Sequence, residues 1–257
     1  MSVRRPAKKD PGECGSRDAV DRWILALDTA GKQAFAALTC DGEQVDVVAS
    51  ASNRAEDLPE IVSQLLKSRG LAVADLAGLA VVEGPGSYTG LRVGLALARG
   101  LALVDRIPVV ALGSLELAAL ACPGAESPVA CLLPAAAGRI FFAVYGREQG
   151  RTVCIEPPEV VDLSAVPERL AGVRGLRSCC AEAREIAPDL WCLLDGIEGV
   201  ERCELPRERA GTLARVGLER LAAGQGRPAA SVVPLYVGTS SPRKNRNRVV
   251  LERTDGA

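Results

Sequence analysis

Two hydrophobic periods run along this chain, and the order in which they change predicts the fold. The run WILALDT at Trp23–Thr29 has strand character. AFAALTC at 34–40 and QVDVVAS at 44–50 follow it, set apart by the turn signals AGK and DGE. Three strands in a meander are therefore expected to open the fold. From Asp57 the period lengthens, so that Leu58, Ile61, Val62, Leu65 and Leu66 share one helical face. Asp57 to Glu60 offers a capping-box pattern with Pro59 in the first turn, and Gly70 is placed to end this helix. A buried strand at 79–84, a loop and helix over Gly84–Leu103, a strand at 108–112 and a helix near 114–121 complete a βββαβαβα order.

A second passage begins at Pro128, with strands near 129–134, 139–145 and 152–156. A helix near 164–171, a strand around 176–180 and a helix near 207–223 come after them, so the order partly recurs without sequence repetition. A duplicated meander followed by αβα elements is, by analogy, the plan of the actin-like, sugar-kinase and Hsp70-like proteins. The expected fold is α/β, actin-like (ASKHA, ribonuclease H-like), with two lobes that each hold a mixed sheet flanked by helices. The expected organisation is a disordered tail at 1–21, a first lobe over 22–113 plus about 205–225, a smaller second lobe over 114–204, and a polar basic tail at 238–257.

Composition changes this picture mainly through an absence. The 257 residues include no histidine, which excludes a histidine general base, Ser-His-Asp and Cys-His triads, and zinc sites of the His-Glu-x-x-His kind. Catalysis would have to rest on carboxylates, lysine or cysteine. Nine cysteines form no C-x-x-C pair and no zinc-like spacing, and they read as buried thiols in a reducing compartment. The formal net charge of −1 calls for no polyanionic partner. The basic N-terminal stretch lacks an apolar core of the signal-peptide kind, and Arg92, Arg99 or Glu116 interrupt every long apolar run, so a soluble cytoplasmic protein is expected.

The segment GPGSYTGLRVGLALARGLAL, Gly84 to Leu103, carries most of the chemistry-bearing signal. Gly84, Pro85 and Gly86 suit a tight strand-to-helix turn, and Ser87 or Thr89 can cap the helix. Its free amides could hold phosphate, but no Gly-Lys-Ser/Thr follows and the pattern is not G-x-G-x-x-G. Within the helix, Gly86, Gly90, Gly94, Ala98 and Ala102 recur every four residues, and Leu91, Val93, Leu95, Leu97, Leu101 and Val104 cover most of the rest. A glycine in a helix costs about 1 kcal/mol relative to alanine, which close approach of another backbone can offset. That second backbone belongs either to the chain's own domain or to a partner subunit; both readings stay open on the physics.

LDTAG near the start, the Gly84–Leu103 segment and IPVVALGSLELAALA after it resemble the TsaB (YeaZ) family. The likeness covers roughly Ile24 to Ala121 and is weaker through Tyr145 and at PLYV near 234–237. It implies an actin-like two-lobed fold without independent catalytic activity or a metal of its own. It implies pairing with a catalytic paralogue, TsaD, and joint work with TsaE, an ATPase, and TsaC in forming N6-threonylcarbamoyladenosine beside the anticodon of tRNAs that read ANN codons. It further implies a subunit interface on the first two helices, here Leu58, Ile61, Val62 and Leu65 with Gly90, Gly94, Leu97, Ala98 and Leu101. No tightly bound cofactor is implied, and ATP or ADP is a candidate ligand at the partner interface.

Asp28, Thr29, Gly86 and Ser87 are the candidate nucleotide or phosphate contacts. An actin-like ATPase needs a second acidic turn at the start of its second lobe. Here Pro134 and Ala136 stand where the family resemblance leads one to expect Asp and Arg, and Arg54 and Ala55 replace a His-Ser pair. Arg243, Lys244, Arg246 and Arg248 form a basic run that reads as a solvated tail or as a tRNA phosphate contact. The competing functions are an actin-like-fold ATPase or small-molecule kinase acting through Asp28, and a homodimeric scaffold.

Overall fold

The computed structural model describes residues 22–41, 44–50, 55–122, 128–206 and 209–238. The expected terminal tails at 1–21 and beyond 238, together with Arg54, lie outside the described residues. Three strands, β1 (Trp23–Asp28), β2 (Phe35–Cys40) and β3 (Gln44–Ala49), form the antiparallel meander. Helix α1 (Leu58–Arg69), β4 (Leu76–Gly84), α2 (Tyr88–Asp105), β5 (Val109–Gly113) and α3 (Ser114–Ala121) follow. The second passage comprises β6 (Val129–Pro134), β7 (Arg139–Glu148), β8 (Arg151–Asp162), α4 (Val166–Ala171), β9 (Ser178–Ala181), α5 (Pro188–Leu194), β10 (Glu201–Glu204) and α6 (Ala210–Ala222).

The two sheets have the same topology. The first runs β3-β2-β1-β4-β5 and the second β8-β7-β6-β9-β10, with antiparallel pairing on the meander side of the opening strand and parallel pairing on the other. The recurrence is thus complete: α5 and β10, absent from the sequence expectation, supply the missing elements of a second βββαβαβα unit. β1 and β4 read as continuous apolar runs because helices cover both faces of the first sheet. Leu25, Leu27, Leu79 and Val81 face α1 and α2, while Ile24, Ala26, Ala80 and Val82 face α6. In the second sheet, Phe142 and Val144 meet α4 and α5, and Cys131, Ala143 and Tyr145 meet α3.

The third helix of each unit therefore leaves its own sheet. α6 packs across β1, β2 and β4 of the first sheet, and α3 packs against β6, β7 and β8 of the second. They meet where the Arg220 guanidinium on α6 pairs with Glu116 on α3. This is the actin-like plan of two duplicated α/β lobes. The expected capping box at Asp57 is not formed: a 3₁₀ turn over 55–57 leaves Asp57 already helical, and its carboxylate accepts a bond from the Ser50 hydroxyl at 2.7 Å. That contact ties the start of α1 to the end of β3. Gly70 closes α1 at φ 69° as expected. No helix among the described residues is long and apolar enough to cross a membrane.

Phe142 is fully buried, with the Arg169 guanidinium 4.9 Å from its ring centre. Phe142→Ala should lower unfolding free energy by about 3–5 kcal/mol in urea titrations. The same truncation at solvent-facing Leu103 should change it by less than about 0.5 kcal/mol.

Candidate functional site

β1 ends in Asp28, whose side chain turns back so that its Oδ1 accepts the Ala30 N–H at 3.1 Å. Its other oxygen lies 3.7 Å from Nε of Arg209, and Nη1 of the same guanidinium lies 3.4 Å from Glu182. All three side chains are buried. Asp28 closes a strand of the first sheet, Glu182 follows β9 of the second, and Arg209 precedes α6, so one arginine bridges the lobes through two carboxylates. Beside it a cavity of ≈ 180 Å³ is lined by Lys32, Gln33, Phe35, Glu182, Ile186 and Arg209. The carboxylate that an actin-like ATPase would turn toward Mg²⁺ is held here by a cation of the chain itself. The matching turn of the second lobe, between β6 and β7, reads Pro134-Ala135-Ala136-Ala137-Gly138 and offers no carboxylate.

The glycine-rich loop faces the same turn. Ser87 N–H donates to Ala30 O at 2.8 Å, and Ser87 Oγ caps α2 by accepting Gly90 N–H at 3.2 Å. A Cβ on Gly86 would collide with the Ala30 carbonyl, one on Gly90 with the Thr29 carbonyl, and one on Gly94 with the Thr29 hydroxyl. At Gly86, Gly90 and Gly94 the small-residue row thus admits Thr29 and Ala30, just beyond β1. Of the four candidate phosphate contacts, all gather at this turn, but Asp28 is ion-paired, Ser87 is spent on the cap and Gly86 is pressed on Ala30. A second cavity of ≈ 180 Å³, lined by Thr29, Lys32, Glu56, Thr89 and Val93 among others, opens alongside.

Most residues of the expected interface lie inside the chain's own core. Leu58, Ile61, Val62 and Leu65 are buried beneath the first sheet, and Gly90, Gly94 and Ala98 lie inside the chain's own core, with Leu97 and Leu101 packed half-buried against it. Turning the row inward rolls other residues out: Tyr88 is 56% exposed, Leu103 73% and Val104 82%. A C-terminal strap lies across this side of α2. Leu235 N–H bonds Glu83 O at 2.6 Å, Arg227 pairs with Glu83 at 3.0 Å, and Arg92 Nε donates to the Tyr236 hydroxyl at 3.2 Å. Tyr236 stacks on Tyr88 at 5.4 Å, and the Arg92 guanidinium sits 4.1 Å above the Tyr88 ring. Val233, Leu235 and Tyr236 extend the apolar surface. Periodicity flagged none of Tyr88, Leu103, Val104 and Tyr236 as surface; the PLYV segment around Tyr236 was the one local signal.

The cysteines also depart from expectation. Cys122 and Cys180 form a disulfide, Cys154 and Cys192 are exposed, and Cys40 is half-buried, so the set is not uniformly one of buried free thiols. Desolvation raises the thiols of Cys131, Cys179 and Cys203, that of Cys179 to about 12. They are protonated near neutral pH and are not nucleophiles.

Residues 46–173, about half the chain, match the family described as TsaD, tRNA N6-adenosine threonylcarbamoyltransferase. The tRNA threonylcarbamoyladenosine biosynthesis protein TsaB of Escherichia coli is 29% identical over 147 residues, 54% of this chain and 64% of that protein. The TsaB protein of Haemophilus influenzae is 33% identical over 134 residues, 50% of this chain and 56% of that protein. The chain is thus similar in sequence to TsaB proteins and, over about half its length, to the TsaD family. Its matched part spans less than two thirds of these TsaB proteins. The fold agrees: YeaZ from Pseudomonas aeruginosa superposes with a TM-score of 0.68 at 24% identity, over 84% of this chain and 100% of that one.

Two outcomes follow from this packing. Gly90→Ala should destabilise it by about 1–3 kcal/mol through overpacking, whereas Gly100→Ala, at a helical glycine with nothing within 4 Å, should stabilise it by up to about 1 kcal/mol; thermal unfolding reads both. Arg209→Met leaves Asp28 and Glu182 buried without their shared cation and should cost about 3 kcal/mol by urea unfolding.

Proposed function

We propose that the chain acts in tRNA threonylcarbamoyladenosine biosynthesis as a non-catalytic subunit that pairs with a TsaD-like paralogue and activates it. In this reading the paralogue transfers threonylcarbamoyl to the tRNA adenosine, a TsaE-like ATPase joins the pair, and this chain meets tRNA only indirectly, in the cytoplasm. The TsaB-named relatives support the pathway. The observation that carries the non-catalytic role is the Asp28–Arg209–Glu182 bridge, which removes from service the acid an actin-like phosphotransferase would use. The proposed pairing surface is the outer side of α2 with the strap: Tyr88, Arg92, Leu103, Val104 and Tyr236. It presents a cation-aromatic stack near the start of α2 and large apolar groups near its end, groups of the kind found in interfaces. ATP or ADP at the partner interface is part of the proposal, and Lys32, exposed between the two cavities, is the side chain available to it.

Depletion of the chain should remove threonylcarbamoyladenosine from tRNA hydrolysates read by mass spectrometry; an unchanged level would sink the reading. Replacing both Leu103 and Val104 with Asp should leave a folded monomer that no longer co-elutes with the TsaD-like paralogue and fails to restore the nucleoside. Saturable MgATP turnover by the purified chain, abolished by Asp28→Ala, would instead establish the ATPase. Light scattering of the chain alone separates a homodimer on the same surface from a heterodimer that replaces it.

A further inference from the structure

The fold assembles three sulfurs that lie far apart in sequence. Cys122 ends α3, Cys180 stands in β9 and Cys203 in β10, 58 residues separating the first two. The parallel β9–β10 register sets Cys203 directly beside Cys180 on one face of the sheet, and α3 brings Cys122 over that face. The three Sγ atoms lie within 4.8 Å of one another, and all three residues are buried. A disulfide uses only two of them. Cys203 is left as a free buried thiol against the bridge.

We propose that Cys122, Cys180 and Cys203 form a site for a thiophilic divalent cation of the zinc class, available when the Cys122–Cys180 bridge is reduced. Three sulfurs each about 2.3 Å from one ion stand about 4 Å apart, a spacing that the observed cluster reaches with small side-chain shifts. Leu115, Ala118, Leu133, Ala143 and Leu205 surround the cluster, so three thiolates would be prohibitive there without a cation, and a divalent ion leaves a single net negative charge. Thiolate donors with no carboxylate among them select zinc-like soft ions over magnesium or calcium. Among the described residues no fourth His, Cys, Asp or Glu joins the group within that spacing; Cys131, in register with Cys180 on the same face, stands outside it, and the fourth position is open to that thiol or to water. Access is from the sheet edge, since β10 is the outer strand and Cys203, at 9%, is the most exposed of the three.

The bridged and metal-bound states exclude each other. A dithiol reductant passes two electrons and two protons to the Cys122–Cys180 bond and becomes a disulfide; the three protein thiols then lose three protons as the M²⁺–S bonds form. The site thereby couples metal occupancy of the second lobe to redox state.

The test uses the full chain with Cys14, Cys40, Cys154 and Cys192 replaced by Ser, which leaves only buried cysteines. Cd²⁺ is titrated anaerobically into the reduced and the oxidised protein and read by the thiolate-to-cadmium ultraviolet band, and Zn²⁺ is titrated against a chromophoric chelator. The reduced protein should bind one ion per chain and the oxidised protein none. Cys203→Ala should weaken binding at least ten-fold, and Cys179→Ala, on the opposite face of β9, should not. Circular dichroism monitors folding; if Cys203→Ala fails to fold, Cys122→Ala supplies the same comparison at the end of α3. Absence of the band in reduced protein, equal binding by oxidised protein, or undiminished binding after loss of Cys203 or Cys122 would each overturn the proposal.

Discussion

The architecture depends on one close approach of two backbones, where α2 lies on the tip of β1 with Gly86, Gly90 and Gly94 against Thr29 and Ala30. No residue with a Cβ fits at those three positions without displacing main-chain or Thr29 atoms. The contact sets the roll of α2 about its axis, because a row that repeats every four residues can touch the strand along only one line. Residues half a turn away, Tyr88, Arg92 and Leu103, are then obliged to face outward. The hydrogen bond from Ser87 to Ala30 and the Ser87 cap consume polar groups that a phosphate would otherwise meet. A single steric requirement thus fixes the core of the first lobe and decides which surface is offered to a partner.

Electrostatics completes the same turn. Arg209 reaches Asp28 and Glu182 together, so the lobes share a buried cation across the cleft where an actin-like enzyme would seat its nucleotide. Such a cluster is costly to desolvate and contributes little net stability, yet loss of any member leaves the others unbalanced. Its effect is on specificity, holding the first strand's terminal acid, the second sheet and the start of α6 in one arrangement. The chain is similar in sequence both to TsaB proteins and to the TsaD family, and its first acidic turn is closed by its own arginine.

The alternation of periods made the meanders and the long helices legible, because β1, β4 and β6 are continuous apolar runs and α1 carries a clean i, i+3, i+4, i+7 stripe. β10 escaped because ERCE places a single apolar side chain inward, and α5 because PDLWCLL makes too few turns to declare a period. The orientation of α2 was not legible: a helix apolar nearly all round gives no direction, and its glycine row serves a partner or its own sheet equally well until the position of Thr29 is known. The sulfur cluster was hidden for a related reason, since β-sheet register and helix packing unite positions that no linear spacing marks. Asp28 was legible as a candidate acid, but its neutraliser, Arg209, lies far along the chain at the head of a helix that packs on the first sheet.

The exchange of third helices gives the molecule a property that neither lobe has alone. Each half of the duplication, cut from the other, would keep its five strands but lose the helix that covers one sheet face, exposing Ile24, Ala80 and Val82 in one case and Cys131, Ala143 and Tyr145 in the other. The two sheets are therefore not independent folding units joined by a hinge. Each supplies the other's roof, so unfolding is expected to be one cooperative event, and strain introduced in either lobe is felt through α3 and α6 in its twin.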